Sequence, residues 1–294
     1  MRLGAGALRS RAGGRYPACM GSVDLRAMSV GGHAFRYLTA GPHTGRVASV
    51  FRHGLNALFD DEGDPVLISI QTADAPLHPF AVEVRRPPIA LEGKEMFADS
   101  GCIRFGAGDR VMFGEATPDD LRIATYTPDE ANRARTRRPL LERLLDERSA
   151  EQGSDPFRSR IDDILAAWRT TSETLLLPDL IGLGAGSTPA GDDVLVGLIV
   201  GLTALENVAH EAKAALRGLR LAPREARSLT SLASAQMIGA ALEGSSLEPL
   251  RDLVERLGSE AASDSDVRHA AHRVASLGAT SGRMMLQGLA AALG

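Results

Sequence analysis

Apolar and polar positions change rhythm once along the chain, and that change sets the expected fold. Across 47–126 the apolar residues fall in short runs that alternate or cluster as strands do: 47–51, 66–70, 80–84, 102–105, 111–113 and 121–126. The acidic, glycine- and proline-rich separators at 60–65, 86–88 and 106–109 are turn chemistry. No long helical pattern lies between consecutive strands, so repeated βαβ units are not expected and an antiparallel arrangement is.

From residue 128 the period becomes helical. Leu140, Leu141, Leu144 and Leu145 share a face of the charged segment 129–149, and Ile161, Ile164, Leu165 and Trp168 do so within 155–171. Further helices are expected at 189–206, 210–217, 223–242, 247–257, 265–277 and 282–293, separated by glycine-containing breaks. The predicted fold class is α+β: a β-rich, antiparallel N-terminal domain, 23–127, followed by an all-helical C-terminal domain, 128–294. Residues 1–22 are rich in arginine and glycine, without the apolar stretch of a secretory signal. They are expected to be a disordered tail, or to precede a true start at Met20 or Met28.

Composition then narrows the function classes. A net charge of −4 carries no bulk cationic field, so nucleic acid is not an expected partner. The longest apolar run, 194–205, is too short to cross a bilayer, so no membrane association is expected. Cys19 and Cys102 stand far apart without disulfide or zinc-ligand spacing, which suits a reducing, cytoplasmic location.

The least generic segment is 180–193, Leu-Ile-Gly-Leu-Gly-Ala-Gly-Ser-Thr-Pro-Ala-Gly-Asp-Asp. Gly182, Gly184 and Gly186 permit positive φ and close approach of the backbone to a ligand. Thr188 suits an N-cap and Pro189 the first helical position, and a helix begun this way offers unpaired N–H donors to an anion. Gly191, inside the first turn, implies a close contact above it. Asp192 and Asp193 project about 100° apart, so one is expected to act while the other caps or pairs. A plain capped helix start would use the same residues, Gly191 excepted. The segment lacks the Walker A lysine and does not match GxGxxG.

Gly278-Ala-Thr-Ser-Gly282 offers two hydroxyls and a backbone nest, or else a simple turn between helices. Ser228, Ser231 and Ser234 read as small packing residues, and Gly197 and Gly201 as a close helix contact. His269 and His272, at i and i+3, have no carboxylate helper and read as surface or supporting histidines. His53, near Asn56, is an acid-base candidate if it faces the glycine loop.

Together, the 180–193 segment and the later Gly-Ala-Thr-Ser-Gly resemble the AllH-type subunit family associated with oxamate carbamoyltransferase. Gly182, Gly184, Gly186, Thr188, Pro189, Gly191, Asp192, Asp193, Gly278, Thr280, Ser281 and Gly282 occupy that pattern's places. Ala185, Ser187 and Ala190 stand where Pro, Leu and Ser are expected, and Arg283 where an aromatic is more usual.

The resemblance implies a transferase subunit of purine (allantoin) breakdown, interconverting oxalurate plus phosphate with oxamate plus carbamoyl phosphate. Implied partners are a small anionic substrate (carbamoyl phosphate or phosphate, and oxamate) and the other subunits of a hetero-oligomeric complex. Carried onto this chain, the catalytic candidates are Asp192, orienting the carbamoyl amine, and Thr188. Substrate-binding candidates are Gly184, Gly186, Ser187, Gly191, Asp193, Thr280, Ser281 and Gly282. No cofactor and no metal-ligand set are required, although Mg²⁺ bridging a phosphate to Asp192 is compatible with the residues.

Two other readings stand beside this one: a non-catalytic, anion-binding assembly or regulatory subunit, and a stand-alone Mg²⁺-dependent hydrolase of a nucleotide-like substrate. A helix N-terminus at Pro189 is expected to face a cleft lined also by 278–282.

Overall fold

A computed structural model describes residues 23–294 apart from 61–62, 89, 91, 100, 107, 150–155, 172–173 and 222–227. The tail expected over 1–22, with Cys19, and the starts of the helices expected from 155 and 223 lie outside the described residues.

Strands β1 (Asp24–Gly31), β2 (His43–Phe51), β3 (Gly54–Phe59), β4 (Val66–Gln71), β5 (Ala81–Val84), β6 (Glu95–Asp99), β7 (Cys102–Arg104) and β8 (Arg110–Met112) close into a barrel. The order is β5-β4-β3-β2-β6-β7-β8-β1, and β1 pairs back onto β5. Closure leaves these strands without a long free edge. Most neighbours are antiparallel, as alternation predicts, but β1–β8 and β4–β5 run parallel. A two-residue β9 (Pro118–Asp119) adds to β1, also in parallel. The short helix α1 (Gly32–Thr39), which has no counterpart in the sequence reading, sets Ala34 and Leu38 into the barrel core.

Alternation decides which side chains the barrel keeps. Leu55, Ala57 and Phe59 of β3 and Ile68 and Ile70 of β4 are buried in the core, while Asn56, Leu58, Leu67 and Ser69 fall on the other face. The run 121–126, expected as a strand, pairs with no strand among the described residues; an isolated bridge joins Arg122 to Ser245. Its apolar residues serve two packing sites instead. Leu121 packs with Leu77 and Ala81, while Ile123 and Tyr126 enter the helical core.

The second half holds α2 (Pro128–Ser149), α3 (Pro156–Thr171), a 3₁₀ turn (Thr174–Leu180), α4 (Ala190–Leu205), α5 (His210–Leu221), α6 (Leu232–Leu242), α7 (Glu248–Gly258), α8 (Asp264–Ala275) and α9 (Ser281–Ala292). Buried from Gly191 to Leu205 and, beyond its first-turn aspartates, almost wholly apolar, α4 is the central helix. Against it lies α9, and the expected small-residue contact is real. A Cβ at Gly197 would fall 1.9 Å from the Met285 carbonyl, and one at Gly288 would fall 1.9 Å from that of Val194.

Gly197→Ala is therefore expected to cost about 1–3 kcal/mol through overpacking. Gly41→Ala, at a site with nothing within 4 Å, should be near neutral; thermal unfolding of the two variants checks the contrast.

Helix α6 starts later than expected because the Ser231 hydroxyl accepts the Ser234 N–H at 3.1 Å and caps it. Ser231 is thus a cap and not a packing residue. The next turn of α6 fastens the two halves together. Its Gln236 amide accepts the Leu67 N–H (2.7 Å) and donates to the Leu67 carbonyl (3.0 Å), imitating a neighbouring strand. Arg251 adds hydrogen bonds to both Asp119 oxygens, at 2.9 and 3.2 Å.

Candidate functional site

Between the outer face of β3–β4 and the starts of α4, α6 and α9 lies a cavity of about 660 Å³. The residues that β3 and β4 turn away from the barrel core, Asn56, Leu58, Leu67 and Ser69, form one wall. Ser187, Thr188, Asp192, Asp193, Gly278 and Ser281 contribute the other. The two glycine-marked segments therefore meet, with the Thr188 and Ser281 hydroxyl oxygens 3.2 Å apart.

Backbone conformation in the loop follows the sequence reading. Gly182, Gly184 and Gly186 have φ of 74°, 129° and 100°, conformations that a residue with a Cβ rarely adopts. What they approach, however, is mostly the chain itself. A Cβ at Gly184 would sit 2.6 Å from the Ala190 nitrogen, and one at Gly191 would sit 2.1 Å from the Leu180 carbonyl oxygen. The close contact implied by Gly191 exists, and its partner is protein. Gly282 is similar, pressed against the Val274 carbonyl.

Among the candidates, Ser187, Thr188, Asp192, Asp193 and Ser281 line the cavity, whereas Gly184, Gly186, Gly191, Thr280 and Gly282 do not.

The helix start also differs from expectation by one position. Pro189, at φ −52° and ψ 141°, is the extended cap residue and not the first helical one, and Thr188 makes no capping bond because its hydroxyl meets Ser281. First-turn donors are already engaged: the Gly191 N–H on the Leu183 carbonyl at 2.7 Å, and those of Asp192 and Asp193 on Pro189 at 3.0 and 3.3 Å. Hydroxyls, helix dipoles and carboxyl groups remain to meet a ligand.

The adjacent aspartates differ sharply. Asp192 is 1% exposed and fully used: one oxygen accepts the Gly182 N–H at 2.8 Å and the other accepts the Thr230 hydroxyl. Asp193 is also buried, yet its Oδ2 has no hydrogen-bond partner among the described residues. Burial, with a contribution from the neighbouring Asp192 charge, pushes the Asp193 pKa up to about 7 against a hydrogen bond from Ser281 that works the other way. At neutral pH such a carboxyl can give or take a proton.

His78, from the β4–β5 connection, lines the cavity as well. No spacing in the sequence ties this single histidine, set between Leu77 and Pro79, to the glycine loop. Its Nδ1 accepts the Phe80 N–H at 3.3 Å, and burial lowers its pKa to about 4. His53 instead faces Asp74 at 3.5 Å and does not line the cavity, while His269 and His272 are exposed. Among the described residues no three His, Cys, Asp or Glu side chains gather as a metal-ligand set. A cation on Asp192 would share its oxygens with the Gly182 N–H and the Thr230 hydroxyl. No described helix is long and apolar enough to cross a membrane.

A barrel joined to helices thus leaves a cavity of small-molecule size at their junction, with the Asp193 carboxyl among its lining. Residues 180–293 match the family model described as oxamate carbamoyltransferase subunit AllH, and residues 26–130 match that of the AllH family N-terminal domain. The chain belongs to the AllH family. No curated protein and no solved structure was found to match it.

Proposed function

We propose that the junction cavity is the substrate site of a carbamoyltransferase complex, taking oxamate and carbamoyl phosphate to oxalurate and phosphate and the reverse. One observation carries this reading: two segments 93 positions apart converge at Thr188 and Ser281 beside Asp193, whose Oδ2 has no hydrogen-bond partner among the described residues.

In the forward direction the oxamate amide nitrogen attacks the carbamoyl carbon. A C–N bond forms, the C–O bond to phosphate breaks, and phosphate leaves with that electron pair. Asp193 takes the proton from the nitrogen and returns it in the reverse reaction. The N-terminal ends of α4 and α9 favour negative charge on the carbonyl oxygen and the leaving group. With the Ser281 hydroxyl donating to Asp193 and the Thr188 hydroxyl to Ser281, the Ser281 oxygen keeps a lone pair that can accept a substrate N–H. This step needs no cofactor; Mg²⁺ accompanying a phosphate would leave Asp193 free to take the proton only if it met Asp192. The reaction would serve cytoplasmic purine breakdown, with turnover in the presence of the other subunits. A stand-alone Mg²⁺ hydrolase has less support, because it would require both aspartates as ligands.

Calorimetric titration of the full chain, alone and with its partner subunits, tests the site. Oxamate is expected to bind, and Ser281→Ala to weaken that binding by roughly five- to tenfold, the worth of the hydrogen bond that the Ser281 oxygen would accept from the oxamate amide N–H. Absence of binding in both preparations, or binding indifferent to Ser281→Ala, would return the chain to an assembly role.

A further inference from the structure

We infer that His78 donates an uncharged Nε2–H to the carbonyl oxygen of the transferred carbamoyl group, an inference that rests on the cavity being the substrate site. The Phe80 N–H occupies Nδ1, so the ring proton belongs to Nε2. Nε2 makes no hydrogen bond to a described residue, and the ring lines the cavity.

The two side-chain amides on the cavity walls are tied elsewhere. The Asn56 amide accepts from Ser69 at 2.8 Å and donates to Ser49 at 3.0 Å, and Gln236 is held on both atoms by Leu67. An imidazole with Nδ1 occupied and Nε2 protonated can act as a donor but not as a base. Burial keeps it neutral through the physiological range.

That division of labour suits carbamoyl transfer. Negative charge grows on the carbonyl oxygen as nitrogen attacks, and a fixed neutral donor stabilises it without competing for the proton that Asp193 removes. The donor comes from the barrel half and the acid-base group from the helical half. Gln236, by pinning α6 to β4, helps to set their separation.

The test uses the full chain labelled with ¹⁵N-histidine, with His78→Gln to identify the resonance. The Nε2–H tautomer is expected to persist down to about pH 5, and its signals to shift when oxamate and carbamoyl phosphate are added. In the reconstituted complex His78→Leu should lower kcat by about 10²-fold with a smaller change in KM. His78→Gln, which retains an N–H donor, should recover part of that loss.

A ring that becomes cationic with a pKa of about 6.5 overturns the inference. So does one that ignores bound ligand, or an equal loss in the Leu and Gln variants; none of these touches the assignment of the cavity. Ligand binding that neither Ser281→Ala nor His78→Leu weakens overturns both.

Discussion

Asp193→Asn is expected to lower turnover of the reconstituted complex by about 10²-fold or more while making the isolated chain more stable at neutral pH. Asparagine matches aspartate in size but cannot exchange a proton with the substrate nitrogen. The stability effect follows from the raised pKa, about 7 against an ordinary 3.8.

Below the lower value both folded and unfolded chains hold the proton, and the group contributes no difference. Between the two values the unfolded chain releases its proton while the folded chain retains it, so stability falls as pH rises, by up to about 1.36 kcal/mol per pH unit. Above about pH 7 the loss levels off at a few kcal/mol. The Asn variant escapes this loss. Its Tm should equal that of wild type at about pH 4 and exceed it by several degrees at about pH 8. Parallel pH dependence in the two proteins, or turnover within about twofold of wild type, well under 1 kcal/mol, would remove Asp193 from the chemistry.

Asp192→Ala should do the opposite: its main effect is on folding. The substitution strips the acceptor from the Gly182 N–H and the Thr230 hydroxyl and removes a negative charge from the α4 N-terminus, for a combined cost of about 3–5 kcal/mol. Denaturant unfolding measures it.

Asp192→Asn separates structure from charge. Its carbonyl oxygen can still receive Gly182, and its amide can donate to the Thr230 oxygen, so stability should change far less. Because the Asp192 charge raises the Asp193 pKa, Asn at 192 should move the acidic limb of the pH–rate profile to lower pH, with turnover within about tenfold of wild type. Loss of turnover with an unmoved profile would make Asp192 the acting carboxylate after all, the role to which the sequence first assigned it.

The two aspartates show where sequence reading stops. Helical spacing establishes that Asp192 and Asp193 point in different directions, so only one would act. It does not say which one meets Thr230, 38 positions away, and which is left with a free oxygen. His78 was invisible for the same reason: its relation to Asp193 exists only once β4 and β5 are laid against the start of α4. The run 121–126 failed in a related way, because alternation specifies an extended, two-faced segment but not whether a strand or helices will cover its faces.

What this sequence determined by itself is local. Alternating runs made β3 and β4 two-sided, the glycines at 182, 184 and 186 allowed the loop its left-handed turns, and the small residues at 197 and 201 permitted close helix packing. The segment and its Gly-Ala-Thr-Ser-Gly companion also marked the family. Tertiary structure decided the closure of the barrel, the use of its outer face as a cavity wall, and the raised pKa of the buried Asp193 carboxyl. The reason is physical: φ, period and packing volume are properties of a residue and its near neighbours, whereas desolvation and hydrogen-bond partnership belong to whatever distant chain the fold brings alongside.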